Sequence, residues 1–114
     1  MMIVALIGLL YTAGFYLLLR RSLVKAAIGV LLLGHAANLL IFVSGGLSAG
    51  VPIIPAGASA LVHPYPDPLP QAIILTAIVI GLGISAYLLA LIHRTADLFG
   101  GDDIDNLREE TEVE

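Results

Sequence analysis

Apolar residues run along this chain in three long blocks that do not alternate with polar ones. The first is Met2–Leu19, stopped by Arg20-Arg21. The second is about Leu23–Val43, stopped by Ser44-Gly45-Gly46, and the third about Pro70–Ile92, stopped by His93-Arg94. A bilayer core of roughly 30 Å takes about 20 apolar residues in helical form. In lipid only helices or closed barrels satisfy the backbone, and blocks this long without a period of two predict helices. The pattern thus predicts an all-α membrane protein with three transmembrane helices. Met1-Met2-Ile3 is not a basic leader, and no small-residue cleavage site follows the first block, so that block is expected to be a span rather than a signal peptide.

Between the second and third blocks lies "SGGLSAGVPIIPAGASALVHPYPDPL", residues 44–69, with five of the six prolines. It is too short and broken to be a domain. Its apolar residues Val51, Ile53, Ile54, Leu61 and Val62 predict that it packs against something, such as the outer face of a partner. No internal repeat is visible. The reading is a single membrane domain over residues 1–95, with an acidic tail over 96–114.

Charge adds a direction. Of 114 residues 59% are hydrophobic and 12% charged, with mean hydropathy +1.01, beyond an ordinary soluble domain. Eight of nine acids (Asp97, Asp102, Asp103, Asp105, Glu109, Glu110, Glu112, Glu114) fall in the tail, and Asp67 is the ninth. Arg20, Arg21 and Lys25 occupy the first connection, the second connection has no Lys or Arg, and Arg94 follows the third block. Positive residues stay inside, so the N-terminus is expected outside and the C-terminus in the cytoplasm. The net charge of −4 comes from the tail, and no basic patch suits nucleic acid. With no cysteine, disulfides, thiolate metal sites and c-type haem attachment are excluded, and no cofactor is expected.

Few polar residues interrupt the blocks. At 100° per residue, His35, Asn38 and Phe42 share a stripe with Leu31 and Ala27. Two readings stand together: the stripe hydrogen-bonds to neighbouring helices, or it lines a hydrated path with His35 as a proton relay. In the third block Thr76, Gly83 and Tyr87 share a stripe, with Gly81 and Ser85 on roughly the other side, so the helix is expected to meet more than one neighbour. The Thr76 hydroxyl either bonds its own helix backbone or faces an ion. Gln71, one turn inside, bonds backbone groups or faces water. In the first block Gly8 and Thr12 form a small-residue packing pair continued by Phe15. In "DPLP", Asp67 is expected to cap the third helix, with Pro70 near the first helical position. His63 and Asp67 make a poor metal site, since stable sites want more ligands. "DDIDNLREE" has a weak helical pattern that Asp102 or Asp103 would cap. No nucleophile with a base, paired carboxylates or phosphate loop is present, so the chain is not expected to be an enzyme.

Taken together, "GHAANLLIF", "DPLPQAIILTAIVIGLGISAYLLALIHR" and "DDIDNLR" resemble the small C-type subunit of the Mrp-type (Mnh-type) multisubunit cation/proton antiporter, over nearly the whole chain. The resemblance implies a hetero-oligomer in a bacterial cell membrane that exchanges Na⁺ for H⁺ in pH and sodium homeostasis. Its large A- and D-type subunits carry the charged residues of transport. The C-type subunit is also similar to the small three-helix membrane subunit of respiratory complex I. That relative has two membrane glutamates, and their positions fall at Leu31 and Val79 here. Their absence favours the antiporter subunit over the complex I subunit. It leaves two roles: helping to form the ion path, or serving assembly alone. An independent small transporter would need an acid inside a span, and none of the three blocks has one.

Overall fold

The structure, a computed structural model, describes residues 1–46, 56–57, 59, 67–105 and 107–108. The apolar loop positions Val51, Ile53, Ile54, Leu61 and Val62 lie outside the described residues, as do His63 and the end of the tail. The chain forms three helices: α1 (Met2–Leu18), α2 (Leu23–Ser44) and α3 (Pro68–Phe99). Two of them, α2 and α3, are long and apolar enough to cross a membrane. At 17 residues α1 is a shorter apolar helix, near the lower limit for a span.

The ends follow from local chemistry. At α2 the Ser22 hydroxyl accepts from Lys25 N–H at 3.4 Å, and Gly45 closes the helix. At α3 Asp67 is the N-cap: its carboxylate accepts from Leu69 N–H at 3.0 Å. The first helical position is Pro68 rather than Pro70, and its missing N–H is one that a helix start leaves unpaired anyway. The helix also runs beyond the apolar block, past Ile92 to Phe99, where Gly100 turns left-handed at φ 72° and its N–H bonds Ala96 O at 2.9 Å. His93-Arg94 therefore ends the apolar block without ending the helix.

α2 packs on both α1 and α3. The extents are 74 × 28 × 16 Å. α1 and α3 pack on α2 and hardly on one another, so the helices stand in a row with α2 in the middle, a single layer. Such a layer has almost no interior: Ile7, Ala27, Ala36 and Ile92 are its buried hydrophobic side chains among the described residues.

Two close approaches hold the layer. α1 crosses α2 where Gly14 meets Gly29. A Cβ on Gly29 would stand 2.8 Å from Gly14 O and 3.0 Å from Leu18 N. Such small-residue contacts let two membrane helices approach backbone to backbone. The second approach joins the far ends of α2 and α3: a Cβ on Gly45 would meet Pro70 Cγ at 2.8 Å.

Past Gly100-Gly101 the chain folds back onto the α1–α2 turn. Leu23 N–H bonds Asp102 O at 2.9 Å and Ile104 N–H bonds Arg21 O at 3.0 Å, an isolated antiparallel bridge of Ser22 with Asp103. Side chains reinforce it: the Ser22 hydroxyl donates to the Asp102 carboxylate and the Arg21 guanidinium to Asp105. Ile104, Asp105, Leu107 and Arg108 are helical, and Asp103 accepts from Asp105 N–H at 3.1 Å.

This strap rests mainly on uncharged backbone bonds and on Ser22. The Arg21–Asp105 pair is exposed on both sides, and such pairs contribute about 0–1 kcal/mol. Ser22→Ala removes a helix cap worth about 1 kcal/mol together with a bond to a carboxylate. Hydrogen exchange at the Leu23 and Ile104 amides is therefore expected to quicken by about tenfold or more in Ser22→Ala. Arg21→Ala or raised salt is expected to change it less. Equal rates in Ser22→Ala and the parent chain would remove the strap.

Candidate functional site in the membrane face of α2

α2 carries a neighbour on each of two sides. Gly29 and Leu33 meet α1, and Leu23, Ala27 and Val30 line the seam with α3. Helical phase leaves a third sector, which carries Val24, Ile28, Leu31, His35, Asn38 and Phe42. Ala27, at the edge of the predicted stripe, is buried and belongs to the α3 seam. Most of the remaining sector is open: Val24, Ile28, His35 and Phe42 are exposed, whereas Leu31 and Asn38 are half-buried.

His35 lies about 18 Å along a helix of 22 residues, close to its middle. Its imidazole forms no hydrogen bond among the described residues, and neither does the amide of Asn38. α2 thus presents two polar side chains, one turn apart, to whatever stands beside the layer.

The other predicted residues are dispersed. Thr76 is exposed on α3, and its hydroxyl donates to Ala72 O at 3.1 Å. With Ala72, Ile73, Ala77 and Ile80 it lines a shallow apolar groove. Gln71 is exposed in the first turn of α3. Thr12 donates to Gly8 O at 2.8 Å. A Cβ on Gly8 or Gly83 would meet nothing within 4 Å among the described residues, so Gly8, Thr12 and Gly83 form no packing contact between the three helices. Val79 is 64% exposed on α3. No group of three His, Asp or Glu converges among the described residues. Sequence reasoning missed Gly14 and Gly29, whose helices gave no sign of which glycine faced which, and it missed the pairing of Ser22 with Asp102.

These features define a class: a small all-helical chain, with helices fit to cross a membrane and a polar face left for a neighbour. A family model described as NADH-ubiquinone/plastoquinone oxidoreductase chain 4L matches residues 2–112. The C-type subunit of the Na⁺/H⁺ antiporter of Alkalihalophilus pseudofirmus is 44% identical over 89% of this chain and 88% of its own. That of Bacillus subtilis is 41% identical over 90% and 88%. A chain in the structure of the Mrp complex from Dietzia sp. superposes with a TM-score of 0.68 at 36% identity, covering 90% of this chain and 74% of that one. The chain belongs to the family of C-type Na⁺/H⁺ antiporter subunits, within the wider chain 4L family.

Proposed function

We propose that the chain is a membrane-spanning subunit of an Mrp-type Na⁺/H⁺ antiporter in a bacterial cell membrane. Its three helices cross with the N-terminus outside and the C-terminus in the cytoplasm. The open sector of α2 lies against a large antiporter-like subunit, which carries the charged residues of the ion path. His35 and Asn38 hydrogen-bond to that partner or to water held beside the path, with Gln71 and Thr76 at a second, α3-borne contact. Gly8, Thr12 and Gly83 pack on further helices of the complex.

The observation that carries this reading is His35: mid-helix, exposed and unbonded among the described residues. A lone imidazole or amide facing acyl chains at that depth has no water to bond and costs free energy, so such residues face protein or a hydrated cavity. The single-layer shape supports the same reading, since a layer without an interior takes its stability from neighbours. All five Lys and Arg (Arg20, Arg21, Lys25, Arg94, Arg108) sit at the end where the strap closes, which supports the orientation.

The chain has no cysteine, so a photo-crosslinker attached to a single His35→Cys marks one place on this chain, and the tagged chain is purified to read what it captured. In native membranes it is expected to capture a large antiporter-like subunit. Capture of lipid alone, or purification of the tagged chain with quinone-reducing partners, would defeat the proposal.

A further inference from the structure

The strap encloses a cleft of about 390 Å³ between the α1–α2 turn and residues 102–103. Its walls hold charges of both signs: Arg20, Arg21 and Lys25 on one side, Asp102 and Asp103 on the other. Several are already engaged, Arg21 by Asp105, Asp102 by Ser22, and one oxygen of the Asp103 carboxylate by the Asp105 N–H. Lys25 and Asp103 line the same space yet form no ion pair with each other or with another described residue. The Arg20 guanidinium rests 5.6 Å from the centre of the Tyr16 ring, again without a carboxylate among the described residues. The cleft therefore holds two cations and a carboxylate that do not meet.

Below the cleft the surface changes character. Leu19, at its lip, is 86% exposed, and Phe15 and Tyr16 continue down α1 as an exposed apolar strip. An aromatic ring stacked under an arginine is typical of the level where acyl chains give way to headgroups.

We propose that this cleft binds a phospholipid of the cytoplasmic leaflet whose headgroup carries both a phosphate and a primary ammonium, as in phosphatidylethanolamine. Lys25 and Arg20 take the phosphate through charge-assisted hydrogen bonds, Asp103 takes the ammonium, and the acyl chains lie along Leu19 and Phe15. A purely anionic lipid would use the cations and leave Asp103 facing like charge. A choline lipid has no N–H to give Asp103. The inference rests on the membrane-subunit reading above, because it needs the basic end at the cytoplasmic surface.

The test uses the intact complex, stripped of lipid and returned to nanodiscs of ethanolamine, choline or glycerol phospholipid. Native mass spectrometry of the released complex counts retained lipid. The ethanolamine lipid is expected to be retained about tenfold over the other two, the scale of one such contact. Lys25→Ala and Asp103→Asn are each expected to erase that preference. Equal retention of all three lipids by the parent complex, which needs no variant to fold, overturns the proposal. So does a preference for the glycerol lipid, or displacement of the bound lipid by soluble phosphoethanolamine at matched concentration. Failure of the wider reading shows separately, as absence of antiporter-like subunits from the purified complex.

Discussion

Gly29→Ala is expected to loosen the chain from its complex, although it adds a single methyl group. The new Cβ would stand 2.8 Å from Gly14 O, 3.0 Å from Leu18 N and 3.2 Å from Leu17 Cβ. The first two are backbone atoms of α1, which no rotamer change can move, so the helices must separate along their crossing. Overpacking of this kind costs about 1–3 kcal/mol, and Gly29→Leu more. A chain with so little interior has little else to absorb that cost. Gly14→Ala is expected to be milder, because its nearest obstacle is the Leu33 side chain, which can turn aside. Gly8→Ala and Gly83→Ala meet nothing within 4 Å among the described residues and are expected to report on partners. The measurement is the fraction of tagged variant recovered with its partners after detergent extraction, followed by thermal unfolding of the recovered complex. If Gly29→Ala matches the parent, the close crossing does not exist in the membrane.

His35→Ala is expected to leave the complex assembled and to lower Na⁺/H⁺ exchange by about tenfold, the effect of losing one hydrogen bond of about 1–2 kcal/mol within the membrane. No described residue of this chain bonds the imidazole, so its removal leaves α2, the Gly14–Gly29 crossing and the strap as they are. What it removes is a contact with the neighbour or its water. His35→Gln, which keeps a donor and an acceptor near the same place, is expected to recover part of the exchange. Exchange in everted vesicles, normalised to assembled complex, reads both variants. Normal exchange in His35→Ala would make the face an assembly contact only, and loss of the complex itself would do the same.

The helices were legible because each apolar block is long, and because Asp67 supplies a cap for the third. The end of α3 was not, because His93-Arg94 marks where the apolar block stops, and a helix can continue beyond that until a residue such as Gly100 takes a left-handed turn. The family was legible in "GHAANLLIF" and "DPLPQAIILTAIVI", and antiporter relatives 44% and 41% identical bear it out. The α1–α2 crossing was hidden for a geometric reason. Gly8 and Gly14 both suit close packing, and the choice between them depends on where α2 crosses, which no periodicity within one helix records. The strap was hidden because Asp102 and Asp103 look like caps for a tail helix. Asp103 does accept from Asp105 N–H, but the backbone of Asp102 pairs with Leu23, far away in sequence. The stripe of His35 and Asn38 was visible as a pattern, whereas its lack of a partner among the described residues required the other helices to be placed.

The thinness of the layer also bears on the life of the chain before assembly. Made alone, it would offer its surroundings an exposed imidazole halfway along α2, a half-buried amide one turn on, and a third helix with Ile92 as its one buried residue. Polar groups left without partners in an apolar medium cost free energy, and the chain sheds that cost only on joining its complex. Its lifetime in the cell would then be set by the supply of its partners, and matched synthesis of the subunits becomes a requirement built into the shape of this small one.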